Sequence, residues 1–113
     1  MELRWCYVTC ASAEEALRIG REVVEARLAA CANILPGLTS IYHWQGRIES
    51  GSEAALILKT RAELVEALVA RVKALHSYTV PCVVALPIGG GNPDYLAWLA
   101  SETAPSTPAR QDS

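Results

Sequence analysis

Apolar residues switch between strand-like and helix-like spacing in a set order along this chain, and that order restricts the fold more than any bulk property. Leu3 to Cys10, rich in aromatic, β-branched and Cys residues, predicts a strand. Ser12-Ala-Glu-Glu15 then forms a capping-box pattern. In it the Ser12 side chain accepts from the Glu15 amide, and the Glu15 carboxylate reaches back to the Ser12 amide. A helix to about Leu28 follows, with Ala16, Ile19, Gly20, Val23 and Val24 on its buried face. Glu14, Arg18, Arg21 and Glu25 pair on its wet face. Cys31 to Leu35 predicts a second strand, interrupted by a turn at Pro36-Gly37 and continued from Thr39 to Ile48. The continuation alternates: Ile41, His43, Gln45 and Arg47 face one way, Tyr42, Trp44 and Ile48 the other. Ser50-Gly51-Ser52 supplies a hairpin turn, and Glu53 to Thr60 returns as a third strand. Ala62 to His76 forms a second helix and Val80 to Ile88 a fourth strand, after which Gly89-Gly90-Gly91 breaks the chain. Asn92 as N-cap, Pro93 in the first turn and Asp94 near the positive end open a short third helix. Residues 1–102 thus read as a single domain, and the small, polar residues 103–113 as a disordered tail.

The order β-α-β-β-α-β plus a short C-terminal helix is the split βαβ of an α+β, ferredoxin-like fold. It has a four-stranded antiparallel sheet with two helices on one face. Such a sheet is apolar toward its helices and polar toward water. Here the fourth strand is apolar on both sides, with Val80, Cys82, Val84 and Leu86 against Val83 and Ala85. The first strand repeats this, with Trp5 and Tyr7 against Cys6 and Val8. One short helix cannot cover the second face, so another subunit is expected to do so.

Composition excludes several functions. A chain of 113 residues, 51% hydrophobic and 19% charged, is one globular domain. A net charge of −2 with scattered Lys and Arg argues against nucleic acid as a partner. The longest apolar run, CVVALPI, is far short of the ~20 residues of a spanning helix, so no membrane is expected either. The start, MELRWCYVTC, has no apolar h-region and argues against a secretory signal. Four cysteines (Cys6, Cys10, Cys31, Cys82) then read as thiols of a reducing cytoplasm. Cys6 and Cys10 on one strand lie ~13 Å apart, beyond the ~7 Å reach of a disulfide.

Three blocks carry a family resemblance. RLAACANILPGLTSIYHWQGRI, then ILKTR, then HSYTVPCVVALPI followed by GNPDYLAWL, resemble the CutA family of divalent-cation tolerance proteins over about residues 6 to 100. The resemblance implies a ferredoxin-like homotrimer similar in architecture to the PII signalling trimers, with ligands in clefts between subunits. It implies a link to copper and other divalent cations; no catalytic reaction follows from it, and no cofactor is required beyond a weakly held divalent or copper ion. By position, the family's polar cluster falls on Tyr42, Trp44, Glu53, Lys59, His76 and Tyr78. Two departures stand out. The family's H-P-Y-x-V-P-E run is H-S-Y-T-V-P-C here, so a thiol, Cys82, replaces a carboxylate. The family's proline in the turn after strand one is replaced by Ala11.

Several of these residues carry more than one reading. His76 reads as a helix C-cap, a cleft ligand residue or a metal ligand. Trp44 reads as an interface anchor or a ligand platform. His43 reads as a surface residue, Cys31 as a small buried hydrophobe, and Trp98 and Leu99 as packing of the third helix. Gly89 to Gly91 lacks the context of a phosphate loop. If strand four lies antiparallel beside strand one, Cys82 approaches Cys10. Those two thiols with His76 then suit a soft or borderline ion such as Cu(I) or Zn(II). An enzyme using His76 and Glu53 as acid and base, and a purely structural trimeric scaffold, are the competing functions.

Overall fold

The computed structural model describes residues 2–103. The elements run β1 (Leu3–Cys10), α1 (Ala13–Glu25), β2 (Cys31–Trp44), β3 (Arg47–Arg61), a 3-10 turn at Ala62–Leu64, α2 (Val65–Leu75), β4 (Val83–Pro87) and α3 (Pro93–Glu102). All strand pairs are antiparallel, in the order β2-β3-β1-β4, which is the ferredoxin-like arrangement expected.

Residues of β1 and β3 alternate between two faces. Cys6, Val8 and Cys10 of β1, with Leu56 and Leu58 of β3, are fully buried. They pack with Ile19 and Val23 of α1 and Leu68 and Val72 of α2 to form the core. Helix α1 comes unusually close to the sheet. A Cβ built on Gly20 would meet Ala32 Cβ at 3.0 Å and Leu56 Cδ1 at 3.1 Å. Here glycine is selected by space, since its backbone cost inside a helix is about 1 kcal/mol relative to alanine.

The second face is only partly covered. α3 lies across one end, where the Tyr95 hydroxyl is 3.6 Å from Cys31 Sγ and 3.3 Å from Lys59 Nζ. Leu99 of α3 is buried as expected, whereas Trp98 is 42% exposed. Leu35, Val84 and Leu86 remain open to solvent at 55%, 50% and 46%. β1 pairs with β3 only from Ala54 to Arg61, so the rest of β2 and β3 projects as a two-stranded ribbon.

Several boundaries differ from the sequence reading. α1 stops at Glu25, not Leu28, because Arg27 adopts a left-handed φ of 61°. The Leu28 amide then donates to the Val23 carbonyl and the Arg27 amide to that of Val24, a Schellman closure without its usual glycine. β2 continues through Pro36-Gly37 as an irregularity in register. The hairpin turn is Gln45-Gly46, not Ser50-Gly51-Ser52. Both of its residues have positive φ, 51° and 80°, as a two-residue primed turn requires. That turn pairs His43 with Ile48 and Trp44 with Arg47. Ile48 therefore shares a face with Ile41 and His43, and Arg47 shares one with Tyr42 and Trp44, the reverse of the expected parity. β4 is shorter than expected, Val83–Pro87. Thr103 is buried and donates to the Leu99 carbonyl at 2.9 Å, so the folded domain extends past residue 102. The rest of the expected tail lies outside the described residues.

The Gly20 contact yields a direct expectation. Gly20→Val should overpack the α1–sheet seam and cost about 2 kcal/mol. An unchanged denaturant midpoint would show that α1 can lift off the sheet freely.

Candidate functional site

Two groups of side chains lie back to back across the β1 end of the sheet. On the helix side, Cys10 closes β1, Glu15 stands in the first turn of α1, and His76 caps the end of α2. Cys10 Sγ, a Glu15 oxygen and a His76 nitrogen all lie within 4.8 Å of one another. Ser12 accepts from the Glu15 amide at 3.1 Å, as the capping box predicts. The Glu15 carboxylate, however, turns away from the Ser12 amide. Its Oε1 accepts from the Ala11 amide at 2.9 Å and its Oε2 from the Ser77 amide at 2.7 Å. Burial pushes this carboxyl up, but the Ala11 and Ser77 hydrogen bonds outweigh burial and hold it below its ordinary 4.5. The Cys10 thiol is pushed up to about 12 by burial first, then by the Glu15 and Glu53 carboxylates.

The partners of His76 define its tautomer. The Tyr78 amide can only donate, and it lies 3.1 Å from Nδ1, so Nδ1 is the acceptor. Nε2 therefore carries the proton and donates to the Thr9 carbonyl at 2.8 Å. The side chain is buried, and Nδ1 also lies 3.8 Å from Glu15 Oε2. His76 is the C-cap residue of α2, as one reading had it, but it bonds to β1 and not to the last helical carbonyls. Arg18 reaches one of those instead, with Nη1 3.3 Å from the Leu75 carbonyl.

The other face holds a cleft of ≈ 550 Å³ lined by Tyr42, Trp44, Glu53, Tyr78, Val80 and Cys82, with Thr9 at its floor. The Tyr78 hydroxyl donates to Glu53 Oε2 at 2.6 Å. Burial raises the Tyr78 phenol well above its ordinary 10, and the hydrogen bond and charge of Glu53 raise it further. The phenol therefore remains a donor throughout the neutral range. Among the described residues, Glu53 brings the only charged side chain to a cleft walled by three aromatic rings.

Tyr42, Trp44, Glu53 and Tyr78 thus meet in one cleft, and His76 stands directly behind it. Lys59 does not join them. It lies six residues from Glu53 along β3, about 20 Å at ~3.3 Å per residue, and sits over the Tyr95 ring at 5.5 Å. Cys82 does not meet Cys10. The register pairs Val8 with Val83, so its continuation sets Cys82 opposite Thr9, one residue out of phase with Cys10 and on the other face. Cys82 is exposed in the cleft while Cys10 is buried in the core. Sequence reasoning missed Glu15, which it treated as a capping residue alone. The available signal was its spacing: Glu15 lies four residues before Ile19, on the stripe facing the sheet.

Residues 4–102 match the family described as CutA1 divalent ion tolerance protein. The chain belongs to that family. The divalent-cation tolerance protein CutA of Thermus thermophilus is 53% identical over 96 residues, covering 85% of this chain and 93% of that protein. Its solved structure superposes with a TM-score of 0.87 at 50% identity, covering 89% of this chain and 98% of that one. The chloroplastic CutA 1 of rice is 47% identical over 100 residues, covering 88% of this chain. This chain spans 56% of the rice protein's length. A structure described as the periplasmic CutA of Archaeoglobus fulgidus has a TM-score of 0.86 at 42% identity, covering 89% of this chain and 98% of that one.

The chloroplastic and periplasmic CutA relatives overturn the cytoplasmic placement read from the cysteines. The physical reason is geometric. All four thiols are free, and those of β1 are kept apart by strand spacing, so their reduced state carries no information about a compartment. Among the described residues, no helix is long and apolar enough to cross a membrane.

The lowered Glu15 carboxyl sets an acid limb for stability in this CutA chain. A depressed folded-state value contributes stability above the unfolded value near 4.5, and that stability is lost as pH falls through the folded value. Glu15→Gln should therefore be clearly destabilised at neutral pH and approach the parent as pH falls below 4.5 and through the lowered folded value. Urea midpoints across that range would test this; a constant difference would mean that the charge of Glu15 plays no part.

Proposed function

We propose that this chain acts in divalent-cation response as a homotrimer, holding a soft or borderline ion at Cys10, Glu15 and His76 and a small ligand in the adjoining cleft between subunits. The observation that carries this reading is the buried set of thiol, carboxylate and imidazole donors within 4.8 Å. A thiol and an imidazole favour Zn(II) or Cu(I), and the carboxylate offsets the ion's charge. The donor types therefore fit such an ion once His76 gives up one of its two present hydrogen bonds. Its affinity is limited by the thiol proton, which must leave a group raised to about 12. Tolerance of divalent cations is the role named for the relatives.

The trimer reading rests on uncovered surface. Ile41 and Ile48 on one side of the projecting ribbon are 73% and 63% exposed, and Tyr42 and Trp44 on the other side are also open. A two-stranded ribbon of this kind is marginal in water by itself. Among the described residues, both outer strands, β2 and β4, also present unpaired edges. A reaction is not favoured. His76 faces the core with both ring nitrogens engaged, so it cannot exchange protons with a substrate in the Glu53 cleft.

Light scattering should return close to three times 12.2 kDa. Trp44→Ala should cost ~3–5 kcal/mol if the indole is buried between subunits. A monomer whose thermal midpoint ignores Trp44→Ala would remove the trimer reading.

Calorimetric titration of Zn(II) into the reduced protein tests the ion site. Cys10→Ser should weaken binding by more than about a hundredfold, beyond the usual loss for an outer-shell partner. Cys82→Ser should leave it unchanged. The opposite ranking would return the site to the cleft face.

A further inference from the structure

Two members of the Cys10–Glu15–His76 cluster, Glu15 and His76, also hold the Ser77–Tyr78 turn in place. Ser77 donates its amide to Glu15 Oε2, and Tyr78 donates its amide to His76 Nδ1. The Tyr78 ring rests on the His76 ring, with centroids 4.7 Å apart at 45°. At its far end the same tyrosine donates its hydroxyl to Glu53 in the cleft. One residue therefore touches both sites, and no intermediate side chain is needed to link them.

We propose that an ion entering the Cys10–Glu15–His76 cluster releases Tyr78, and through it Glu53, so that metal occupancy regulates the cleft. This inference rests on the ion-site reading given above. The argument is one of lone pairs. An ion bound through Nδ1 takes the pair that now accepts from the Tyr78 amide. An ion bound through Nε2 requires the ring proton to move to Nδ1, which then opposes the Tyr78 N–H donor to donor. Either choice deprives the Tyr78 amide of its acceptor. The Glu15 carboxylate has lone pairs to spare and can keep Ser77 while ligating, so the disturbance falls on Tyr78.

The consequence for the cleft follows from charge. With Tyr78 withdrawn, Glu53 loses its 2.6 Å partner and becomes a free carboxylate among Tyr42 and Trp44. That state favours a ligand presenting a cationic or N–H-donating nitrogen above an aromatic face. Linkage is reciprocal, so such a ligand in turn strengthens ion binding.

Hydrogen exchange read by NMR on the reduced protein, with and without Zn(II), tests this directly. Saturating zinc should speed exchange of the Tyr78 amide about five- to tenfold, the loss of one net hydrogen bond. It should also produce a near-ultraviolet tyrosine difference band as the phenol leaves Glu53. Tyr78→Phe keeps every ion ligand and the residue 78 amide. It should bind zinc and retain the exchange response, but lose the difference band. If zinc binds one per chain with the Tyr78 amide and the tyrosine band unchanged, the coupling is overturned while the ion site stands. If the protein binds no zinc and no Cu(I), both fall.

Discussion

The Glu15 carboxylate is where three separate stretches of chain are tied together. It stands on α1, accepts from Ala11 just past β1, and accepts from Ser77 in the turn between α2 and β4. A buried carboxylate is costly to hold without partners, and here two backbone donors supply them. The bonds bring the end of β1, the start of α1 and the end of α2 to one point. The position of His76 follows from that junction, and the position of Tyr78 follows from His76.

A sheet is one backbone thick, and this region uses both sides of it. Thr9 offers its carbonyl to His76 and forms the floor of the cleft. Its neighbour Cys10 turns the other way, into the core beneath the helices. The Cys10 thiol and the His76 imidazole are thus kept dry on one side, while aromatic rings and the Glu53 carboxylate line the open cleft on the other. In this CutA chain the thiol of Cys82 falls on the wet side, so the cysteine after Pro81 alters the cleft and leaves the buried cluster unchanged.

The covered and uncovered parts of the molecule have different roles. The helix-side core is closed and needs nothing further. The second face, the ribbon and both sheet edges are open, with apolar side chains that a lone domain does not ordinarily leave in water. The cleft lies where ribbon and sheet meet, beside that open surface. A partner seated on the ribbon would therefore also border the cleft.

Period and capping chemistry made much of this legible in the sequence. The order of elements, the buried stripe of α1, the Asn92-Pro93 start of α3 and the two-sided strands all follow from local spacing, which acts within a few residues. Residue type and the family resemblance brought Tyr42, Trp44, Glu53 and Tyr78 into one group, and the fold brings them to one cleft. What local spacing could not supply was phase. The Gln45-Gly46 turn changed which residues share a face of the ribbon, since the register of a hairpin is set by its turn. A shift of one residue between β1 and β4 separated Cys82 from Cys10. Glu15 reads as a helix cap until α2 returns to offer it the Ser77 amide. The sequence by itself determined the elements and the chemistry they carry. Only the tertiary structure decided which side of the sheet each group of atoms faces, because side chains alternate and register depends on contacts far apart in the chain.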